Sequence, residues 1–281
     1  MNLINGDCVT ELSKLNDESF DLTITSPPYD NLRSYNDSLV WGEVTWKKVI
    51  EQIYRVTKDG GAVVWIVNDA TIGGDETGSS FRQALYFKEV GFKLHDTMIW
   101  EKNGFTATGS LQVRYASTFE YMFVISKNKM KTFNPIYDRK NVSKGYKKFS
   151  PVRQIDGSFK EKTTKGYTPD EYGQRFNIWG GYTLDGEHDN HPAAFPVSLI
   201  MDHIISWSNA GDEILDPFMG SGTTGVACKR LERGFTGIEK DESYFKNASI
   251  RIENALPDNQ RKLLELRDMK KRIRKLKEMM E

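Results

Sequence analysis

The sequence predicts an α/β fold, a mostly parallel sheet covered by helices on both faces. Two observations carry that prediction. Ala62-Val63-Val64-Trp65-Ile66-Val67 is wholly apolar, as a strand covered on both faces must be. Short β-type runs also alternate with stretches of helical spacing along most of the chain.

The elements follow in order. Leu22 to Thr25 is a short β-type run that ends in Ser26-Pro27-Pro28. Trp46, Val49, Ile50 and Ile53 have helical spacing, and Gly60-Gly61 is expected to stop that helix before the Ala62–Val67 strand. Phe81, Ala84, Leu85 and Lys88 predict a helix closed by Gly91. Phe92, Leu94, Met98 and Trp100 alternate with period two, and Tyr121 to Ile125 is a second buried strand. Val197, Ile200, Met201, Ile204 and Ile205 form a helical stripe. After it come a strand at Glu213 to Leu215, a glycine-rich turn, a helix from Thr224 to Glu232, and a strand at Phe235 to Ile238. No internal repeat is present.

Composition narrows the class. The 281 residues are 38% hydrophobic and 28% charged, enough to bury a core and too apolar for wholesale disorder. Two distant cysteines, Cys8 and Cys228, make no disulfide framework and suit a reducing cytoplasm. The longest apolar run, Ala62 to Val67, falls far short of the roughly 20 residues of a membrane helix. No basic stretch precedes an apolar one at the start, so no secretory leader is expected.

Formal net charge is zero, but it is unevenly spread. Lys127 to Arg175 holds 13 Lys and Arg against 5 Asp and Glu, and Gln260 to Glu281 holds 9 against 4. A basic, aromatic-rich insert at 127–175 therefore sits in an acidic body, 1–126 with 176–259. Such a mixture suits a nucleic-acid backbone and its bases. Leu266, Met269, Ile273, Leu276 and Met280 predict a C-terminal helix at 260–281. It would pack on its own domain, make a homodimer or touch DNA; the spacing leaves these open.

The sharpest local signal is Asp216-Pro217-Phe218-Met219-Gly220-Ser221-Gly222-Thr223-Thr224-Gly225, between a strand and a helix. Glycines there turn the backbone tightly and leave room for a ligand near a helix N-terminus. Gly220, Gly222 and Gly225 satisfy the dinucleotide spacing, and Glu239 ends the next strand, where a carboxylate can accept both ribose hydroxyls. Together they point to an adenosine-containing cofactor. A phosphate-binding loop is disfavoured, because Gly222 is followed by Thr223 and no lysine.

The second signal is Ser26-Pro27-Pro28-Tyr29. Two prolines fix two φ angles and remove two N–H donors, leaving a stiff turn of acceptors beside an aromatic ring. Ser26 Oγ and the Pro27 carbonyl suit the two hydrogens of an amino group on a planar ring, with Tyr29 stacked on its face.

With these two motifs the sequence resembles the S-adenosylmethionine-dependent amino DNA methyltransferases. The catalytic motif precedes the cofactor motif, with a basic insert between, which resembles their circularly permuted β group and implies a Rossmann-like methyltransferase sheet. Gly6-Asp7-Cys8 is similar to the family's adenine-binding segment. The resemblance implies that Asp7 and Cys8 meet the adenine and Glu239 the ribose. It also implies that Asp216, Pro217, Phe218, Gly220, Ser221, Gly222, Thr223 and Thr224 frame the methionine part. The family often has Lys where this chain has Phe195, so Phe195 receives no role.

The implied reaction is direct methyl transfer to the exocyclic amino group of a base flipped out of double-stranded DNA, with Ser26, Pro27, Pro28 and Tyr29 as the catalytic turn. Ser26 resembles the cytosine-N4 subgroup; adenine N6 is the alternative. The insert at 127–175 is the expected target-recognition region. Lys140, Lys144, Lys147, Lys148 and Arg153 would contact DNA there, with Arg33 after the catalytic turn. Asn68-Asp69 is expected to border the pocket. No metal site is expected, since the four histidines lack ligand spacing. The rivals are an NAD-dependent oxidoreductase and an inactive DNA-binding module. A companion restriction endonuclease would fit the implied family.

Overall fold

The computed structural model describes residues 1–28, 41–106, 111–142, 144–145, 152–160, 168–183 and 195–261. Tyr29, Arg33, Lys147, Lys148 and the expected tail helix lie outside the described residues, apart from the tail's first two positions. By its internal contacts the chain divides into two compact units, Met1–Asn134 with Ile178–Glu281, and Pro135–Asn177.

In the first unit the elements run β1 (Asn2–Asn5), α1 (Cys8–Leu12), β2 (Phe20–Thr25), α2 (Glu43–Val56), β3 (Thr57–Val67), β4 (Thr71–Ile72), β5 (Asp75–Glu76), α3 (Ser79–Val90), β6 (Lys93–Thr106) and β7 (Ser117–Ser126). Four short strands, β8 (Arg139–Lys140), β9 (Val152–Arg153), β10 (Phe159–Lys160) and β11 (Tyr172–Gly173), belong to the second unit. The first unit resumes with β12 (Ile178–Trp179), α4 (Val197–Trp207), β13 (Glu213–Asp216), α5 (Thr223–Arg230), β14 (Gly234–Glu239) and α6 (Glu242–Asn254).

One sheet of order β1-β14-β13-β2-β3-β7-β6-β12 organises the first unit. Every neighbouring pair is parallel except those made by β7, which is antiparallel to β3 and β6. The sheet is mostly parallel, as the apolar β3 run predicts. Pleating splits that run between two faces. Val63, Trp65 and Val67 pack with Leu12, Trp46, Val49, Ile50, Ile53 and Phe87 from α1, α2 and α3. Val64 and Ile66 are equally buried on the opposite face, where α4 packs against β2.

One local expectation needs correction. Gly60 and Gly61 do not stop α2; they lie inside β3. α2 ends at Val56, and Gly60 N–H donates to the Lys127 carbonyl at 2.7 Å, so backbone pairing absorbs both residues. The α3 helix forms as the spacing predicts and is capped by Gly91, with Phe81 and Leu85 on its exposed side at 48% and 56%. Gln83, Ala84 and Phe87 face the core instead, and Gln83 is tolerated there because its Oε1 accepts from Trp65 Nε1 at 2.8 Å.

Candidate active site

Both motifs stand at the C-terminal ends of parallel strands, where open α/β sheets bind ligands. β2 ends at Thr25 and runs into Ser26-Pro27-Pro28, with Ser26 half-buried and both prolines buried. β13, its neighbour in the sheet, ends at Asp216 and runs into the glycine loop. The two strand ends are tied directly. Thr25 Oγ1 donates to Asp216 Oδ1 at 2.7 Å, and Thr224 Oγ1 donates to Asp216 Oδ2 at 2.7 Å. Phe218 N–H completes the set at 3.1 Å. Burial nonetheless dominates at Asp216 and pushes its carboxyl up to about 6.

The glycine loop has the geometry its composition demands. Gly220 and Gly222 have φ of 51° and 78°, a region L side chains rarely adopt. Gly222 heads α5 and lies where a Cβ would come within 3.0 Å of Ala248 on α6. Gly225 has a different role from a phosphate approach: a Cβ there would run into Ile252, so this glycine lets α5 and α6 pack closely. Met219 N–H bonds the Ile238 carbonyl at 2.9 Å and stitches the loop to β14.

Glu239 ends β14 and grips the same loop. Its Oε2 accepts from Gly220 N–H and its Oε1 from Asp241 N–H, both at 2.8 Å. Burial raises its carboxyl above the ordinary range, only partly offset by these two bonds. Asp7 caps α1, its Oδ1 accepting from Val9 N–H at 3.1 Å and Thr10 N–H at 3.3 Å, while its Oδ2 lies 3.6 Å from Lys240 Nζ. Cys8 beside it is buried, and burial together with the Asp7 charge pushes its thiol up to about 12. No thiolate nucleophile is available there at neutral pH.

The Gly6–Cys8 segment, Pro217 and Phe218 of the glycine loop, and the Ile238–Lys240 end of β14 line one cleft. Phe218 is held edge-on between Trp41 and Trp65, with ring centroids 5.2 Å and 6.4 Å away. A larger cavity of about 380 Å³ opens at the opposite ends of the strands, around Asp21, Lys58 and Trp207. Both of its lysines are paired, Lys58 with Asp21 at 2.7 Å and Lys131 with Asp59 at 3.0 Å, and it contains neither motif.

Three residues that hold the site together receive no role from the sequence. Thr25 reads only as the end of a strand until its bond to Asp216 is seen. Arg251 on α6 donates to the Ser221 carbonyl at 2.9 Å and to Thr223 Oγ1 at 3.1 Å, bracing the loop from below. Lys240 neighbours the expected ribose ligand and pairs with Asp7. No local motif marks any of them; each is defined by a partner on another element.

Other expectations are relocated. Asp69 does not border the cleft. It is buried and accepts from Ser80 N–H at 2.9 Å and from the Ser79 and Ser80 hydroxyls, which anchors the start of α3. Lys127, counted with the basic insert, is 8% exposed in the first unit, where its Nζ donates to the carbonyls of Thr57 at 2.9 Å and Tyr54 at 3.1 Å. In the second unit Lys140 and Arg153 are exposed on β8 and β9. Lys144 is exposed but paired with Glu171 at 2.6 Å, and Arg175 is paired with Asp138. Among the described residues, no group of three His, Cys, Asp or Glu could hold a metal ion.

Comparison with known proteins agrees with this geometry. TTHA0409 from Thermus thermophilus, complexed with S-adenosyl-L-methionine, has a TM-score of 0.61 at 21% identity, over 91% of this chain and 94% of that one. The cytosine-N4-specific PvuII DNA methyltransferase has a TM-score of 0.62 at 18% identity, over 89% of this chain and 85% of that one. Both likenesses establish the Rossmann-like methyltransferase fold. In sequence, the orphan methyltransferase M.BamHII of Bacillus amyloliquefaciens is 48% identical over 248 residues, 85% of this chain and 91% of that protein. A family model described as DNA methylase, of the N6/N4 methyltransferases, matches residues 20–250. The chain belongs to the N6/N4 DNA methylase family.

Proposed function

We propose that this protein methylates the N4 amino group of a cytosine in double-stranded DNA, using S-adenosylmethionine. The observation that carries the reading is the Thr25–Asp216 bond, which fixes the proline turn beside the glycine loop. The donor set fits the cofactor. Glycines at positive φ leave the loop backbone bare, a half-buried carboxylate sits at Glu239, and Phe218 offers an aromatic wall.

Asp7 would receive the adenine amino group with the Cys8 backbone beside the ring, and Glu239 the ribose hydroxyls. Asp216, Pro217, Phe218, Gly220, Ser221, Gly222, Thr223 and Thr224 would frame the methionine portion. The bound cofactor supplies an electrophilic methyl group on a sulfonium. Ser26 Oγ and the Pro27 carbonyl accept the two hydrogens of the target amino group. This withdraws its lone pair from the ring and localises it toward the methyl group. Tyr29 stacks on the extruded base. The stiffness of Pro27-Pro28 holds the acceptors in place, so much of the rate gain is positional. A base drawn from the duplex costs a few kcal/mol in unstacking.

The motif order supports a circularly permuted member of the family, the proline turn following β2 and the glycine loop following β13. The second compact unit, with Lys140 and Arg153 exposed beside Tyr172 and Phe159, is the proposed target-recognition region. Lys144, Lys147, Lys148 and Arg33 are proposed to join it at the DNA. The name of the 48%-identical relative favours work without a companion endonuclease. Two buried free cysteines favour the cytoplasm.

Methyl transfer from labelled S-adenosylmethionine to mixed DNA tests the activity. Single-molecule sequencing of DNA from expressing cells then reads the base and its sequence context. N4-methylcytosine is expected, N6-methyladenine would correct the base, and the absence of any mark would reject the reading. Binding of S-adenosylhomocysteine without binding of NAD separates it from an oxidoreductase.

A further inference from the structure

β7 runs antiparallel to β3, with Tyr121 opposite Val67. The segment entering β7 therefore emerges at the C-terminal ends of β2 and β3, the end that carries Ser26-Pro27-Pro28. Two strand spacings, roughly 10 Å, separate β7 from β2. The segment lies on the side away from β13 and β14, hence away from the cofactor cleft.

Exposure alternates sharply there. Val113 is 81% exposed and Tyr115 100%, whereas the Arg114 side chain between them is 23% exposed. Arg114 is turned inward onto the β4–β5 hairpin, donating to Thr71 Oγ1 at 3.1 Å and to the Gly74 carbonyl at 2.6 Å. That hairpin turns through Gly73 and Gly74, both at positive φ, and leaves Ile72 62% exposed. The result is a braced ledge that holds apolar side chains in water beside the reactive end of the sheet. The Arg114–Thr71 bond brings the neighbours Val113, Tyr115 and Ile72 to one place, and exposed apolar groups so gathered mark an interaction surface.

The occupant follows from the position. On the methyltransferase reading, on which this inference rests, the substrate at this end is a duplex from which one base is withdrawn. Withdrawal opens a gap in the stack, and apolar side chains wedged between base steps are how proteins hold such distortions. We propose that Tyr115, on the same braced ledge as Val113 and Ile72, is a wedge that enters the base stack next to the target and holds the duplex open.

The test compares Tyr115→Ala and Tyr115→Phe on two duplexes carrying the site read by sequencing. One has the target base correctly paired and the other has it mispaired, so that extrusion is easier. Tyr115→Ala should lower kcat/KM on the paired duplex roughly ten- to hundred-fold, the scale of one aromatic–base stack. Most of that loss should vanish on the mispaired duplex. Tyr115→Phe should stay close to wild type on both, and S-adenosylhomocysteine affinity should not change. An equal loss on both duplexes, or none, would overturn the wedge. So would normal methylation by Tyr115→Ala accompanied by loss of a dimer in light scattering, which would assign the ledge to self-association. Wild-type protein that methylates neither duplex would instead reject the methyltransferase reading itself.

Discussion

Thr25 Oγ1 and Asp216 Oδ1 are 2.7 Å apart although 191 positions separate them in sequence. The bond joins the last residue of the strand before the proline turn to the last residue of the strand before the glycine loop. It is buried and charge-assisted, and Thr224 matches it on the other carboxylate oxygen. Thr25→Val should therefore cost roughly 1–3 kcal/mol of stability, read by denaturant unfolding. Combined with Thr224→Val, the two losses should be non-additive, because they share one carboxylate.

The same carboxylate gives stability a pH dependence. Asp216 holds its proton up to about 6 in the folded chain, against an ordinary 3.8. A carboxyl raised on folding favours the native state most below its unfolded value, and that contribution is lost as pH rises through the folded one. Stability from this group should fall between about pH 4 and pH 6, by something on the order of 3 kcal/mol. Unfolding of Asp216→Asn across that window should show a shallower slope; an unchanged slope would remove Asp216 as the cause.

Arg251 supports the loop without lining the cleft. Arg251→Met removes its donors to the Ser221 carbonyl and Thr223 Oγ1 and keeps an aliphatic stem. S-adenosylhomocysteine should bind about tenfold more weakly by calorimetry, a loss of roughly 1.4 kcal/mol, with melting little changed.

Glu239→Gln tests the ribose assignment. Glutamine keeps the shape and one acceptor, but removes the charge that backs Gly220 N–H and Asp241 N–H. Affinity for S-adenosylhomocysteine should fall about ten- to hundred-fold. Affinity for free methionine, which has no ribose, should move far less.

Charge reversal in the second unit should separate exposed cations from paired ones. Lys140→Glu and Arg153→Glu should weaken DNA binding and lower the salt slope by about one per lost phosphate contact. Lys144→Ala should do less than Lys140→Ala, because Glu171 already neutralises Lys144. Fluorescence anisotropy over a salt series reads both.

Much of the fold was legible because its central strands are extreme: a parallel strand covered on both faces must be apolar, and residues 62–67 are. The two motifs were legible because glycine and proline impose backbone geometry locally. What stayed hidden depends on partners far along the chain. β1 is a four-residue edge strand with exposed ends, and α6 buries only Ala248 and Ile252, so neither leaves a strong periodic signal. Gln83 reads as surface until Trp65 is placed over it, and Lys127 reads as part of a basic patch until two carbonyls are seen to hold it. A charge count along the sequence cannot tell a cation that faces solvent from one that plugs a core.

The place of β13 in the sheet has a consequence for how the protein is made. It lies between β14 and β2, yet some two hundred residues are synthesised before it. Until it leaves the ribosome β2 keeps a bare, apolar flank, the kind of edge on which nascent chains stick to one another, and β1 waits longer still, for β14. Late arrival of β13 and β14 makes assembly an act of insertion between β1 and β2, and the newborn polypeptide has no cofactor seat until both are in place.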